Sequence, residues 1–113
     1  MYKGQAISLI KLDSGLVELQ LDLKGSSVNK LNDQTLTELS EAVAVLKDSP
    51  EVKGLLISSA KSAFVVGADI TEFVASFSMS DAQLTNWVGK TNDLFCELEN
   101  LPYPSVAAIN GMA

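Results

Sequence analysis

The residues whose types and spacing bear on chemistry lie in Phe64-Val65-Val66-Gly67-Ala68-Asp69-Ile70-Thr71-Glu72-Phe73. A β-prone run meets a glycine there and passes into a segment compatible with a helix. Glycine at such a bend lets the backbone approach a ligand closely. The first amides of a helix lack intrahelical acceptors, and the helix dipole adds partial positive charge at the same end. A backbone N–H placed there suits an oxyanion, including the enolate oxygen of a thioester. The competing reading is ordinary turn chemistry before a helix. Asp69 and Glu72, three apart, could share one helix face as an acid–base pair; they could equally be first-turn acids favoured by the dipole.

Other chemistries are excluded by what is missing. The 113 residues carry eight lysines against fourteen carboxylates, a net charge of −6, and neither histidine nor arginine. An acidic chain without arginine offers no basic footprint for nucleic acid. A zinc site normally draws on histidine or clustered cysteine, and the only cysteine is Cys96. Serine–histidine and cysteine–histidine catalysis lack their base. A single cysteine also precludes an internal disulfide and fits a reducing cytoplasm. Cys96 falls inside an apolar helical pattern, so the expectation is a buried thiol rather than a nucleophile. No segment reaches the ~20 apolar residues that span a bilayer. The opening Met1-Tyr2-Lys3-Gly4-Gln5 lacks the apolar stretch of a secretory signal. The chain therefore reads as cytoplasmic.

With 47% apolar residues there is material for a core, and the elements that must hold the Gly67 region can be traced. Residues 7–10 and 16–21 are β-prone runs joined at Asp13-Ser14-Gly15, a good turn. In the second run Leu16, Glu18, Gln20 and Asp22 alternate with Val17, Leu19, Leu21 and Leu23, which predicts one wet face. A polar loop, Lys24-Gly25-Ser26-Ser27, precedes Val28-Asn29-Lys30-Leu31. Leu36, Leu39, Val43 and Leu46 then recur at helical spacing, with Glu38, Glu41 and Lys47 on other faces. Asn32 or Asp33 is the N-cap, and Pro50 closes the helix.

Residues 52–58 hold Gly54-Leu55-Leu56-Ile57, an unalternating run that predicts a strand covered on both faces, as in a parallel sheet. After the polar loop 58–62, a short helix is expected from near Ala68 toward Phe77. Ser80-Asp81-Ala82-Gln83 has the form of a capping box. Leu84, Trp87, Val88, Thr91, Leu94, Phe95 and Leu98 trace a helical stripe of about five turns, and Trp87 and Phe95 read as its buried face rather than as an acyl pocket. Leu101-Pro102-Tyr103-Pro104 breaks that helix, and residues 105–109 form another apolar strand closed by Asn110-Gly111. Strands separated by helices point to βαβ units and an α/β architecture. An apolar strand followed only by Gly111-Met112-Ala113 suggests part of a larger domain.

Two motifs carry a family resemblance. Phe64, Gly67, Ala68, Asp69 and Ile70 fill the pattern Phe-x-x-Gly-Ala-Asp-Ile, and Pro104-Ser105-Val106-Ala107-Ala108-Ile109-Asn110-Gly111 follows in the right order. Together they resemble the crotonase (enoyl-CoA hydratase/isomerase) superfamily over essentially the whole chain. The implied fold is α/β, crotonase-like (ClpP/crotonase), built of repeated ββα units, with only the amino-terminal portion in residues 1–113. Ser27-Val28-Asn29-Lys30-Leu31 and residues 66–73 are most similar to the multifunctional branch of bacterial fatty-acid oxidation. There a hydratase/isomerase domain precedes an NAD-dependent 3-hydroxyacyl-CoA dehydrogenase. Thr71 stands where many single-function hydratases carry a lysine near the CoA phosphate.

The resemblance implies roles for individual residues. Ala68 would supply a backbone N–H to the thioester oxygen, as one of two donors. The second donor and two catalytic glutamates would lie beyond Ala113. Ser27, Val28 and Lys30 would line the CoA groove, while Val66, Gly67 and Ile70 around Ala68 would contact pantetheine or adenine. Lys30 reads equally as a solvated surface lysine, and Val28, Val66 and Ile70 as core. No cofactor is implied for this part: the acyl-CoA thioester is substrate, and NAD would belong to a downstream domain. The implied partners are acyl-CoA, further copies in an oligomer and a thiolase β subunit. Two other readings stand beside this one: a crotonase-family isomerase or thioester hydrolase, and a non-catalytic fragment that self-associates through an exposed apolar edge.

Overall fold

Alternation in the first fifth of the chain dictates a two-faced hairpin, and the rest of the fold is laid against it. A computed structural model describes residues 1–113, with the side chain of Phe73 outside the description. The strands are β1 (Tyr2–Lys3), β2 (Ile7–Lys11), β3 (Leu16–Leu21), β4 (Gly54–Ser59) and β5 (Ser105–Ala107), in that order across one five-stranded sheet. β1, β2 and β3 are antiparallel, whereas β3, β4 and β5 are parallel. The helices are α1 (Asp33–Lys47), α2 (Ile70–Ser76) and α3 (Asp81–Glu99). α1 crosses from β3 to β4, and α2 with α3 crosses from β4 to β5, as parallel pairing requires.

The β2–β3 turn is a single 3-10 turn, Asp13–Gly15, in which Ser14 (φ 63°) and Gly15 (φ 81°) both adopt left-handed backbone. The register aligns Leu9 with Leu19 and Ile7 with Leu21, and β3 continues it by aligning Val17 with Leu55. These residues share one face with Leu39, Ala42, Val43 and Leu46 of α1, all within a single buried cluster. Glu18 and Gln20 point to the other face and are half-exposed, so the expected wet face is present. Two-residue β1 carries no periodicity and was not legible in the sequence.

Asn32 caps α1, its side chain accepting the Thr35 N–H at 2.9 Å. One residue on that helix departs from its expected place. Glu38 is buried, not on an outer face, and its Oε1 accepts the N–H groups of Ala6 (2.9 Å) and Ile7 (3.1 Å). Ala6 lies in the turn between β1 and β2 and Ile7 opens β2, and the carboxylate satisfies both of their amides. Burial pushes the Glu38 carboxyl up, but hydrogen bonds from Ala6, Gln34, Ile7 and Gln5 together outweigh it and hold the group below its ordinary value. Gly4 fits this arrangement because a Cβ there would sit 1.8 Å from Glu38 Oε1.

Burial departs from the sequence pattern at the other end of the sheet. β4 lies between two strands, but only Gly54 and Leu55 are buried and its other residues are half-exposed. Leu55 and Ile57 turn one face of β4 to the core cluster, and the opposite face, carrying Leu56 and Ser58, is half-exposed. β5 is three residues long and exposed throughout, with Val106 63% exposed; as an edge strand it has a neighbour on one side only. α3 begins with the expected capping box between Ser80 and Gln83, yet none of its residues is buried. Trp87 and Phe95 are exposed rather than a buried face, and Cys96 is an exposed thiol rather than a buried one. The reason is reach: α3 meets the core through Leu94 and Leu98, with Leu101 just beyond its end, so the rest of its stripe lies outside the core cluster.

Candidate functional site

Ala68 lies one residue past a glycine whose φ of 97° an L side chain rarely adopts. The strand-like segment 64–68 runs beside residues 28–31. The Val66 N–H donates to Asn29 O at 3.0 Å, and the Leu31 N–H donates to Gly67 O at 2.8 Å. In a regular parallel ladder, the bond from Val66 to Asn29 would be followed by one from Leu31 to Val66 O. The acceptor is Gly67 instead, so one extra residue is taken up on the Ala68 side, as in a β-bulge. Gly67 absorbs it through its positive φ. A Cβ at Gly67 would meet nothing within 4 Å, so glycine is needed for conformation and not for room.

The bulge decides where the Ala68 N–H points. Leu31 and Ala68 form an isolated parallel bridge. In such a bridge one residue makes both bonds while the N–H of the other faces away from the ladder. Leu31 is the bonded member, through Gly67 O, which leaves the Ala68 N–H directed away from residues 28–31. Ala68 lines a cleft of about 550 Å³ with the apolar Leu31, Met79 and Trp87 and with the acids Asp33, Asp69 and Glu72. A donor on the wall of such a cleft can stabilise developing negative charge on a bound carbonyl.

Neither acid behaves as a pair member. Asp69 caps α2, accepting the Thr71 N–H at 3.0 Å and the Thr71 hydroxyl at 2.6 Å. Those bonds, with a further contribution from the Lys30 charge, hold its carboxyl below the ordinary range. Glu72 turns the other way and accepts the Asp33 N–H, at the start of α1, at 3.1 Å. The Asp69–Glu72 spacing thus serves helix ends. The helix-terminus argument for Ala68 changes as well. α2 begins at Ile70 and its Thr71 amide is already capped, so the outward donor comes from the bulge before the helix.

Of the other residues singled out by sequence, Ser27 is exposed, Val28 and Lys30 half-buried, Val66 37% exposed, Gly67 half-buried and Ile70 74% exposed. Core packing therefore does not account for Val66 or Ile70. The pairing of residues 28–31 with 66–68 brings the two candidate segments side by side, although only Leu31 and Ala68 among these residues line the cleft.

The residue that sequence reasoning passed over is Asn29, 2% exposed. Its Oδ1 accepts the Leu23 N–H at 2.9 Å, and its Nδ2 lies within reach of Phe64 O (2.9 Å), Ser59 Oγ (2.9 Å) and Leu21 O (3.3 Å). Ser59 Oγ in turn donates to Ala63 O at 2.7 Å and accepts the Lys61 N–H at 3.0 Å. Lys61 Nζ donates to Ser26 O at 2.8 Å and pairs with Asp22 at 3.2 Å. A polar residue directly after Val28 and two positions before Leu31 was the one available signal.

The family profile described as "Enoyl-CoA hydratase/isomerase" matches residues 11–113. The chain belongs to that family. It is 50% identical over all 113 residues to the fatty acid oxidation complex subunit alpha of Pseudomonas entomophila and to that of Pseudomonas savastanoi pv. phaseolicola. It spans only 16% of the length of each of these relatives. Among solved structures, the enoyl-CoA hydratase of Bacillus anthracis is 26% identical with a TM-score of 0.79, over 96% of this chain and 41% of that one. The enoyl-CoA hydratase of Mycobacterium smegmatis, 23% identical with a TM-score of 0.78 over 91% of this chain and 39% of that one, shares the fold. The enoyl-CoA hydratase/isomerase fold is thus the one that presents Ala68 here. Among the described residues no helix is long and apolar enough to cross a membrane.

Proposed function

We propose that residues 1–113 are the amino-terminal part of an enoyl-CoA hydratase domain of fatty-acid oxidation, which adds water to trans-2-enoyl-CoA and yields 3-hydroxyacyl-CoA. The observation that carries this reading is the Ala68 N–H, turned out of its ladder by the Gly67 bulge on the wall of a cleft. In the reaction, a water oxygen bonds to C3 while the C2–C3 π pair moves onto the thioester, leaving enolate character on its oxygen. Ala68 donates to that oxygen. The electron pair then returns to C2, which takes a proton. The groups that activate water and deliver the proton, and the second donor, lie outside residues 1–113, so this stretch by itself is inactive.

Ser27, Val28 and Lys30 line the CoA groove in this reading, with Lys30 as the candidate phosphate contact and Val66, Gly67 and Ile70 flanking the thioester. Lys61 is spoken for by Ser26 and Asp22. The identity to fatty acid oxidation complex alpha subunits supports a cytoplasmic, multifunctional parent that assembles with a thiolase β subunit, its NAD site in a separate dehydrogenase domain. Hydration of crotonyl-CoA by the protein at its natural length tests the reaction, with product analysis to separate hydration from double-bond isomerisation and thioester hydrolysis. Release of free CoA, or a shifted double bond without hydroxyacyl product, would replace the hydratase reading. Turnover by residues 1–113 alone, well above buffer, would overturn the placement of the missing groups.

One observation favours a second behaviour for these 113 residues in isolation. Ile70, Val74 and Phe77 are 74, 69 and 82% exposed, and Val106, Ile109 and Met112 all exceed 60%. Such surface favours self-association. Concentration-dependent species in sizing experiments are expected, and a clean monomer across a wide range would remove this reading.

A further inference from the structure

We propose that Asn29 is the positioning residue that holds the Ala68 N–H in its outward setting; the proposal deepens the oxyanion reading above and rests on it. Asn29 grips segment 64–68 at two points. Its side-chain Nδ2 holds Phe64 O at 2.9 Å, and its main-chain carbonyl takes the Val66 N–H at 3.0 Å. Both lie on the near side of the bulge, and Leu31 fastens the far side through Gly67 O at 2.8 Å. The extra residue is therefore confined between two clamps, and Gly67 is the only residue there with positive φ.

The clamp is anchored behind as well as in front. Asn29 Oδ1 accepts the Leu23 N–H just beyond β3, and Ser59, the last residue of β4, meets Nδ2 at 2.9 Å. A primary amide offers one acceptor and two donor hydrogens on one rigid plane. No other side chain of this size can take the Leu23 N–H and also donate to Phe64 O. With Asn29 2% exposed, water cannot stand in for a lost bond at little cost. Removing the amide frees Phe64 O, and the register of residues 64–68 against 28–31 then rests on main-chain bonds alone. The bulge can relax, and Ala68 turns away from the cleft. Asn29 touches neither the cleft nor its contents, so its effect on the reaction runs wholly through Ala68.

The test uses the protein at its natural length and compares Asn29→Ala with Leu46→Ala, a core truncation in α1 that takes no part in these bonds. Steady-state hydration of a short trans-2-enoyl-CoA is measured at a temperature where both variants retain native circular dichroism. Amide hydrogen exchange over residues 64–70 is read by mass spectrometry. A donor displaced by ~1 Å costs on the order of 100-fold in rate, so Asn29→Ala is expected to lower kcat by about that factor, with a smaller change in KM and faster exchange. Leu46→Ala is expected to lose stability but keep kcat. If Asn29→Ala does not fold, Asn29→Asp serves, assayed at alkaline pH so that the buried carboxyl is ionised; it then keeps the acceptor for Leu23 and loses the donor to Phe64, and the same loss of kcat is expected. Wild-type kcat in a folded Asn29 variant, or an equal loss in Leu46→Ala, overturns the proposal. A wild-type protein that hydrates no enoyl-CoA would instead sink the proposed reaction. The clamp is then judged on exchange alone, and unchanged exchange over residues 64–70 in the Asn29 variant overturns it.

Discussion

Replacing Gly4 by alanine and Glu38 by alanine, singly and together, probes the buried carboxylate that ties α1 to the β1–β2 turn. In the native protein Glu38 Oε1 satisfies the N–H groups of Ala6 and Ile7, both residues 1% exposed. Each buried donor left unpaired costs about 1–3 kcal/mol, so Glu38→Ala should destabilise by roughly 2–6 kcal/mol. Gly4→Ala places a methyl 1.8 Å from the same Oε1. That oxygen is the end of a flexible side chain, but it is held by two backbone amides, and Gln34 Nε2 holds the carboxylate's other oxygen. The alanine must therefore break bonds that Glu38 makes, and its cost should approach that of deleting Glu38. In the Glu38→Ala background the obstruction is gone. The remaining close neighbour is Ile7 O at 3.2 Å, and Gly4→Ala should then cost less than about 1 kcal/mol. The four proteins form a double-mutant cycle read by urea denaturation, with a coupling energy of at least about 1 kcal/mol between the two positions. Additive effects would refute the reasoning, because two residues that share an oxygen cannot act independently.

The remaining predictions concern pH and the bulge. The Glu38 carboxyl, ordinarily near 4.5, is lowered in the folded protein; its contribution is therefore fully present at neutral pH and is lost as pH falls below 4.5 through the lower folded value. Acid unfolding of Glu38→Gln should have a shallower pH dependence in that window than wild type, and an unchanged slope would count against the assignment. Gly67→Ala meets no atom within 4 Å but requires φ 97° of an L residue, a backbone strain of about 1–3 kcal/mol. If the bulge holds, stability drops by that amount; if it relaxes, the proposed hydration by the protein at its natural length falls by ~10²–10³ through loss of the Ala68 donor. A variant with wild-type stability and activity would show that the positive φ is not required.

Local signals were read correctly wherever one turn of chain contained them. Asp13-Ser14-Gly15 marked the hairpin, Asn32 capped α1, and Ser80 with Gln83 formed the capping box. Alternation in β3 divided its faces, and the motif around Gly67 carried the family. Cys96, Trp87 and Phe95 were misjudged for a common reason. A 3.6-residue stripe says which side of a helix is apolar, while burial depends on how far the neighbouring element extends along it. Glu38 escaped notice because the groups that need its carboxylate, the amides of Ala6 and Ile7, lie some thirty residues away in the chain.

The same division separates what residues 1–113 determine by themselves from what their packing decides. Residue order alone determines the α/β alternation, the family, the turn glycines and the identity of Ala68 as the residue after the bend, because each depends on backbone sterics or neighbours within a few positions. The outward direction of the Ala68 N–H is a tertiary property. It arises where residues 28–31 meet residues 64–68 one residue out of regular step, with Asn29 bonded on one side of the step and Leu31 on the other. A hydrogen-bond register between segments nearly forty positions apart is written in neither segment. It exists only once β3 and β4 have brought the two together, because pairing energy depends on which amides and carbonyls then face each other.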